Sequence, residues 1–95
     1  MTDATAIQLK PHPKCLLTEL EDGTGVVLNL ETKFYHTLNT SAVVLWKALE
    51  ASAGATTARE LAGALVREFE VDEETALADV VVALAELEGD GLLVR

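Results

Sequence analysis

Ninety-five residues, 49% of them hydrophobic, suffice for one domain with a single modest core and are too few for two. Sixteen acidic residues against seven basic ones give a formal charge of −9, a balance that repels phosphate backbones and argues against a nucleic-acid partner. No apolar run approaches the ~20 residues that span a bilayer, and Met1-Thr2-Asp3-Ala4 lacks the basic and apolar regions of a signal peptide, so a cytoplasmic, membrane-independent protein is expected.

Residues 1–13 show no clear period, and Pro11 and Pro13 interrupt any regular element. A flexible N-terminal arm is expected there, with residues 14–95 forming one domain. Cys15 to Leu20 reads as a first strand, and Glu21-Asp22-Gly23-Thr24-Gly25 as a hairpin turn. Val26, Val27, Leu28 and Leu30 make a second run. Glu31-Thr32-Lys33 breaks it, and Phe34-Tyr35-His36-Thr37-Leu38 resumes with residue types that fit a pleated surface. Alternation puts Phe34, His36 and Leu38 on one side and Tyr35 and Thr37 on the other, and Leu38 marks the first set as the core side.

Asn39, with Thr40 or Ser41 as alternatives, caps a first helix in which Ala42, Leu45, Trp46 and Leu49 recur at the spacing of one buried face. Ala53-Gly54-Ala55 ends it. Thr57-Ala58-Arg59-Glu60 reads as a capping box opening a second helix, with Ala58, Leu61, Ala62, Leu65 and Phe69 facing inward. Asp72 caps a third, where Glu73 and Glu74 complement the helix dipole and Leu77, Val80, Val81, Leu84 and Leu87 form the inward stripe. Gly89 or Gly91 supplies the stop, and Leu92-Leu93-Val94 folds back onto the body. Ala76, Ala78, Val82, Ala83 and Ala85 lie off that stripe, as plain helix formers or as a small-residue wall beside the third strand.

The expected fold is therefore α+β, a three-stranded antiparallel sheet followed by three helices in a winged helix-turn-helix-like order. Such folds often read DNA, but the charges oppose it. Residues 1–50 hold four basic and six acidic residues, and residues 51–95 hold three and ten. The third helix has no Lys or Arg, where a DNA-reading helix needs several.

Catalysis is not expected either. His36 is the only candidate base in the folded body, and no nucleophile, orienting partner or phosphate-binding glycine loop accompanies it. Cys15 is the only cysteine, which excludes an intrachain disulfide and a four-cysteine zinc site. His12, Cys15 and His36 make a poor ligand set, so no metal or other cofactor is expected. A sheet edge, by contrast, presents unpaired N–H and C=O groups that an extended peptide can complete without any of this chemistry.

Gly25-Val26-Val27-Leu28-Asn29-Leu30, Phe34 to Asn39, Ala42 to Trp46, Glu68-Phe69-Glu70-Val71-Asp72 and Gly91-Leu92-Leu93 occur in an order and spacing that resembles the PqqD-like family. These small domains, also called RiPP recognition elements, hold the leader of a ribosomally made precursor peptide during its modification. The resemblance covers nearly the whole chain. It implies a non-catalytic peptide chaperone in natural product biosynthesis that binds a leader by strand addition and delivers it to a maturation enzyme, such as a leader peptidase or a radical SAM enzyme.

By the same resemblance, the guest strand lies along Phe34, Tyr35, His36, Thr37 and Leu38, and Asp79, Val80, Ala83 and Leu87 form the facing helix wall. Two alternatives stand beside this reading. One is the pyrroloquinoline quinone (PQQ) branch of the family, presenting its precursor to a radical SAM enzyme, rather than a branch making a product such as a lasso peptide. The other is a structural or regulatory module whose edge pairs with a second copy to give a homodimer.

Overall fold

The computed structural model describes residues 6–7, 9–52 and 56–94. In chain order it contains β1 (Ala6–Ile7), β2 (Lys10–Pro11), β3 (Cys15–Glu19), β4 (Gly25–Asn29), β5 (Tyr35–Leu38), α1 (Thr40–Ser52), β6 (Thr56–Thr57), α2 (Ala58–Glu68), α3 (Glu73–Gly89) and β7 (Leu93–Val94). Strands β3, β4 and β5 form an antiparallel sheet with β4 in the centre, so the α+β order of sheet and then helices is as expected. No described helix is long and apolar enough to cross a membrane.

The described part of the N-terminal arm contributes two short strands. β1 pairs with β6, and β2 with β7, both antiparallel. His12 N–H donates to the Leu92 carbonyl at 2.9 Å, which places the neighbouring Pro11–Leu93 pair at a position that exchanges no hydrogen bond. The missing N–H of Pro11 therefore costs the pairing nothing. Leu9, between the two short strands, adds its side chain to the core. Residues 1–5 of the arm and the helix stop at 53–55 lie outside the described residues.

Helix α1 starts as its cap predicts, with Asn39 Oδ1 accepting from Ala42 N–H at 2.8 Å. Its inward residues are Val43, Leu45, Trp46 and Leu49, while Ala42 is only half-buried. Leu45, Trp46 and Leu49 retain no exposed surface, and each such aliphatic or aromatic side chain contributes roughly 1.5–3 kcal/mol by leaving water. The Trp46 indole N–H has no acceptor among the described residues.

Thr57 caps α2 by accepting from Glu60 N–H. The Glu60 carboxylate accepts the Thr56 hydroxyl proton, where the capping-box reading sent it back to the cap. Asp72 caps α3 through Thr75 N–H at 2.7 Å, and hydrogen bonding from the Thr75 side chain, with this backbone bond second, holds its carboxyl below the ordinary aspartate range. Arg59 pairs with Glu73 across the α2–α3 corner.

The inward residues of α3 are Ala76, Val80, Leu84 and Leu87. Val81, assigned to that stripe from the sequence, is exposed, and Ala76 is buried in its place. A helix this rich in apolar residues has no single legible stripe, and packing against α2 selects the face. At its end, Gly91 adopts φ 77°. Gly91 N–H donates to the Glu88 carbonyl and Leu92 N–H to that of Leu87, a Schellman closure that turns Leu92 back into the core.

Burial also fixes the state of Cys15. Desolvation, with the Glu31 charge adding to it, pushes its thiol above the ordinary range, which disfavours the reactive thiolate.

Gly25 is closely packed between its neighbouring strand and α1. A Cβ there would stand 2.8 Å from Leu17 Cδ1, 3.0 Å from Val43 Cγ2 and 3.2 Å from the Thr18 carbonyl oxygen. Gly25→Ala is expected to cost about 1–3 kcal/mol, as overpacking does elsewhere. Urea unfolding monitored by Trp46 fluorescence measures it, and an unchanged midpoint would contradict the close contact.

Candidate functional site

The site begins with a turn. Asn29 is buried at the end of β4, and its Oδ1 accepts from Glu31 N–H at 2.8 Å and Thr32 N–H at 3.1 Å. The Asn29 carbonyl accepts from Lys33 N–H, and Lys33 takes φ 70°, the left-handed conformation that closes such loops. Asn29 N–H then donates to the Phe34 carbonyl at 2.9 Å.

That bond sets the polarity of everything downstream. In an antiparallel ladder, residues that exchange hydrogen bonds alternate with residues that do not. With Phe34 bonded to Asn29 and the register Val27↔His36 and Gly25↔Leu38, the backbone groups of His36 and Leu38 point into the sheet. Those of Tyr35 and Thr37 point the other way. No described strand pairs with that side of β5.

Beside the open edge runs a cleft of about 120 Å³. His36, Thr37, Leu38 and Asn39 line one side, Ala42 of α1 lies between, and Ala83, Glu86, Leu87 and Asp90 of α3 and its cap line the other. The α3 residues follow the helical spacing i, i+3, i+4, i+7, so one face supplies the wall. Leu38 and Leu87 are buried and give the cleft an apolar floor. Glu86 and Asp90 are exposed and give it an acidic rim. His36 Nδ1 lies 4.0 Å from Asp90 Oδ2 across the mouth, beyond direct hydrogen-bond reach.

The cleft brings together His36, Thr37, Leu38, Ala83 and Leu87 of the residues expected from the sequence. Tyr35 sits on the outer sheet face, 70% exposed, and reaches the site through its backbone. Phe34 precedes the strand and is equally exposed, because the left-handed Lys33 breaks the alternation before it. Asp79 is an exposed residue of α3 that does not line the cleft. Val80 has no exposed surface and belongs to the core, so it offers a guest nothing to touch. Asn39, Ala42, Glu86 and Asp90 were not expected. Counting i+3 and i+7 from Ala83 reaches both carboxylates, which is the signal that sequence reading left unused.

A larger cleft, about 490 Å³, lies away from this edge between Glu19, Asp22, Thr40, Lys47 and Phe69. It is lined by side chains of mixed charge and includes no residue of β5. Among the described residues, no group of three or more His, Cys, Asp or Glu side chains is placed to hold a metal ion.

The profile of the family described as coenzyme PQQ synthesis protein D (PqqD) matches residues 24–93. The chain belongs to the PqqD family. The matched span of this PqqD-family domain includes β4, β5 and all of α3, hence both walls of the cleft. Two solved structures share the fold. One, "TbiB1 in Complex with the TbiA(beta) Leader Peptide", is 25% identical with a TM-score of 0.75, covering 88% of this chain and 93% of that one. The other, "Lasso peptide synthetase B1 complexed with the leader peptide", is 20% identical with a TM-score of 0.76, covering 93% and 99%. None of the curated proteins matches the chain.

Because Asn29 holds the turn that orients β5 in this PqqD-family domain, its loss should be felt. Asn29→Ala leaves the N–H groups of Glu31 and Thr32 without their acceptor and is expected to cost about 1–3 kcal/mol. Thermal and urea unfolding check this, and wild-type stability would mean the turn closes without its side chain.

Proposed function

We propose that this chain is a non-catalytic adaptor that binds the leader of a ribosomally synthesised precursor peptide and delivers it to a maturation enzyme. The carrying observation is the open edge of β5 at Tyr35 and Thr37, flanked by a cleft against α3. An extended guest adds as a further strand, its backbone satisfying the N–H and C=O groups of those two residues. Its side chains then alternate between the cleft and the outer sheet face. On that outer face Leu16, Leu28 and Tyr35 stand directly opposite one another and exposed, so a guest side chain beside Tyr35 extends an apolar row. The two leader-bound structures of the same fold support this reading.

The domain then acts by tethering. Holding the leader raises the effective concentration of the rest of the precursor at the enzyme, to about millimolar for a short flexible linkage, without changing the chemical step. Leader affinities from micromolar to nanomolar correspond to about −8 to −12 kcal/mol. The receiving enzyme is a leader peptidase or a radical SAM enzyme in a cytoplasmic pathway. The family profile favours a second reading, in which the precursor is that of pyrroloquinoline quinone.

Thr37→Pro removes an edge donor and is expected to weaken leader binding at least tenfold while the protein stays folded. Ala83→Arg fills the cleft with a long charged side chain and is expected to do the same. Fluorescence anisotropy of a labelled synthetic leader peptide that binds the wild-type protein measures both. Wild-type affinity in the folded Thr37→Pro protein would overturn the edge, and in Ala83→Arg the helix wall. Light scattering without peptide reads the competing use of the edge, pairing between two copies.

A further inference from the structure

The cleft beside β5 is amphipathic in a particular direction. Its floor is Leu38, Leu87 and the small side chains of Ala42 and Ala83, and its rim is the carboxylates of Glu86 and Asp90. No lysine or arginine lines it, and His36, 4.0 Å from Asp90, does not close off that carboxylate with a direct hydrogen bond.

A lysine or arginine side chain has the matching shape. Its methylene stem lies along apolar surface while its charged head reaches out to acceptors. Glu86 and Asp90 are one helical turn apart, about 6 Å along the axis, so both carboxylates border the one cleft from which such a head would emerge. Asp79, outside the cleft, adds a further exposed carboxylate one helical repeat before Glu86 on α3.

We infer that the leader recognised here carries a lysine or arginine whose stem fills the cleft between β5 and α3 and whose charge is received by Glu86 and Asp90. This rests on the peptide-binding reading of β5 and adds a side-chain specificity to it. Backbone pairing at Tyr35 and Thr37 then supplies sequence-independent affinity, and the acidic rim selects register. Sliding the guest by one residue would turn the basic side chain to the outer face and leave the carboxylates unmatched.

The test uses a fluorescein-labelled synthetic leader peptide that binds the wild-type protein, with each of its Lys and Arg residues changed singly to Gln. Binding is measured by anisotropy at low and high salt to wild type, to the double variant E86Q/D90N and to Thr37→Pro. The expected result is one leader position whose change weakens wild-type binding at least tenfold, with no further loss against E86Q/D90N. That double variant should bind the unmodified leader with the same loss and a flattened salt dependence. Equal or tighter binding by E86Q/D90N, with Thr37→Pro still defective, would overturn the basic-residue inference and leave the strand edge standing. Wild-type affinity in Thr37→Pro would overturn both.

Discussion

Tyr35 and Thr37 turn their N–H and C=O groups away from β4, and no described strand takes them up. Unpaired backbone of this kind is a liability unless it is covered, charged or used. Here α3 stands across a cleft from β5, its own backbone groups bonded within the helix and so unable to pair with the strand. The remaining structure keeps that gap open. Asn29 fixes the turn that sets the polarity of β5, α1 fills the space beneath the sheet, and the Schellman closure at Gly91 ends α3 at the cleft mouth.

A sheet beside a helical pair is an arrangement that elsewhere reads nucleic acid, and the charge distribution redirects it. The helical half carries most of the acid, and α3, whose exposed face runs through Asp79, Glu86 and Asp90, presents no cation to a phosphate. Carboxylates placed in this way oppose a phosphate backbone and can discriminate among peptides. Backbone pairing is tolerant of sequence, so a domain that must choose one leader needs its selectivity from side chains at the edge of the groove.

Much of the fold was legible because its signals are local. The Asn39, Thr57 and Asp72 caps, the alternating runs of β3 to β5 and the glycine after α3 each depend on a few neighbouring residues. Long-range choices were less legible. Val81 and Ala76 exchange the places expected of them because α2 decides which face of an apolar helix is buried. Lys10–Pro11 pairs with Leu93–Val94 across nearly the whole chain, and no local pattern announces it. At β5 the inward side of the strand was legible at His36 and Leu38, while Phe34, expected on the same side, is exposed. The wall was readable only in part. Val80 fell into the core for the same reason as Ala76, and the acidic rim looked like ordinary solvated surface until α3 was placed beside β5.

The central claim is that a guest strand pairs with the outer side of β5. Amide hydrogen exchange followed by NMR, with and without the leader peptide, tests it residue by residue. Tyr35 and Thr37 N–H groups should exchange quickly in the free protein and become strongly protected on binding, while His36 and Leu38 change little. Protection appearing instead along the opposite edge, at Leu17 and Glu19 of β3, or no change at Tyr35 and Thr37 under saturating leader, would contradict it.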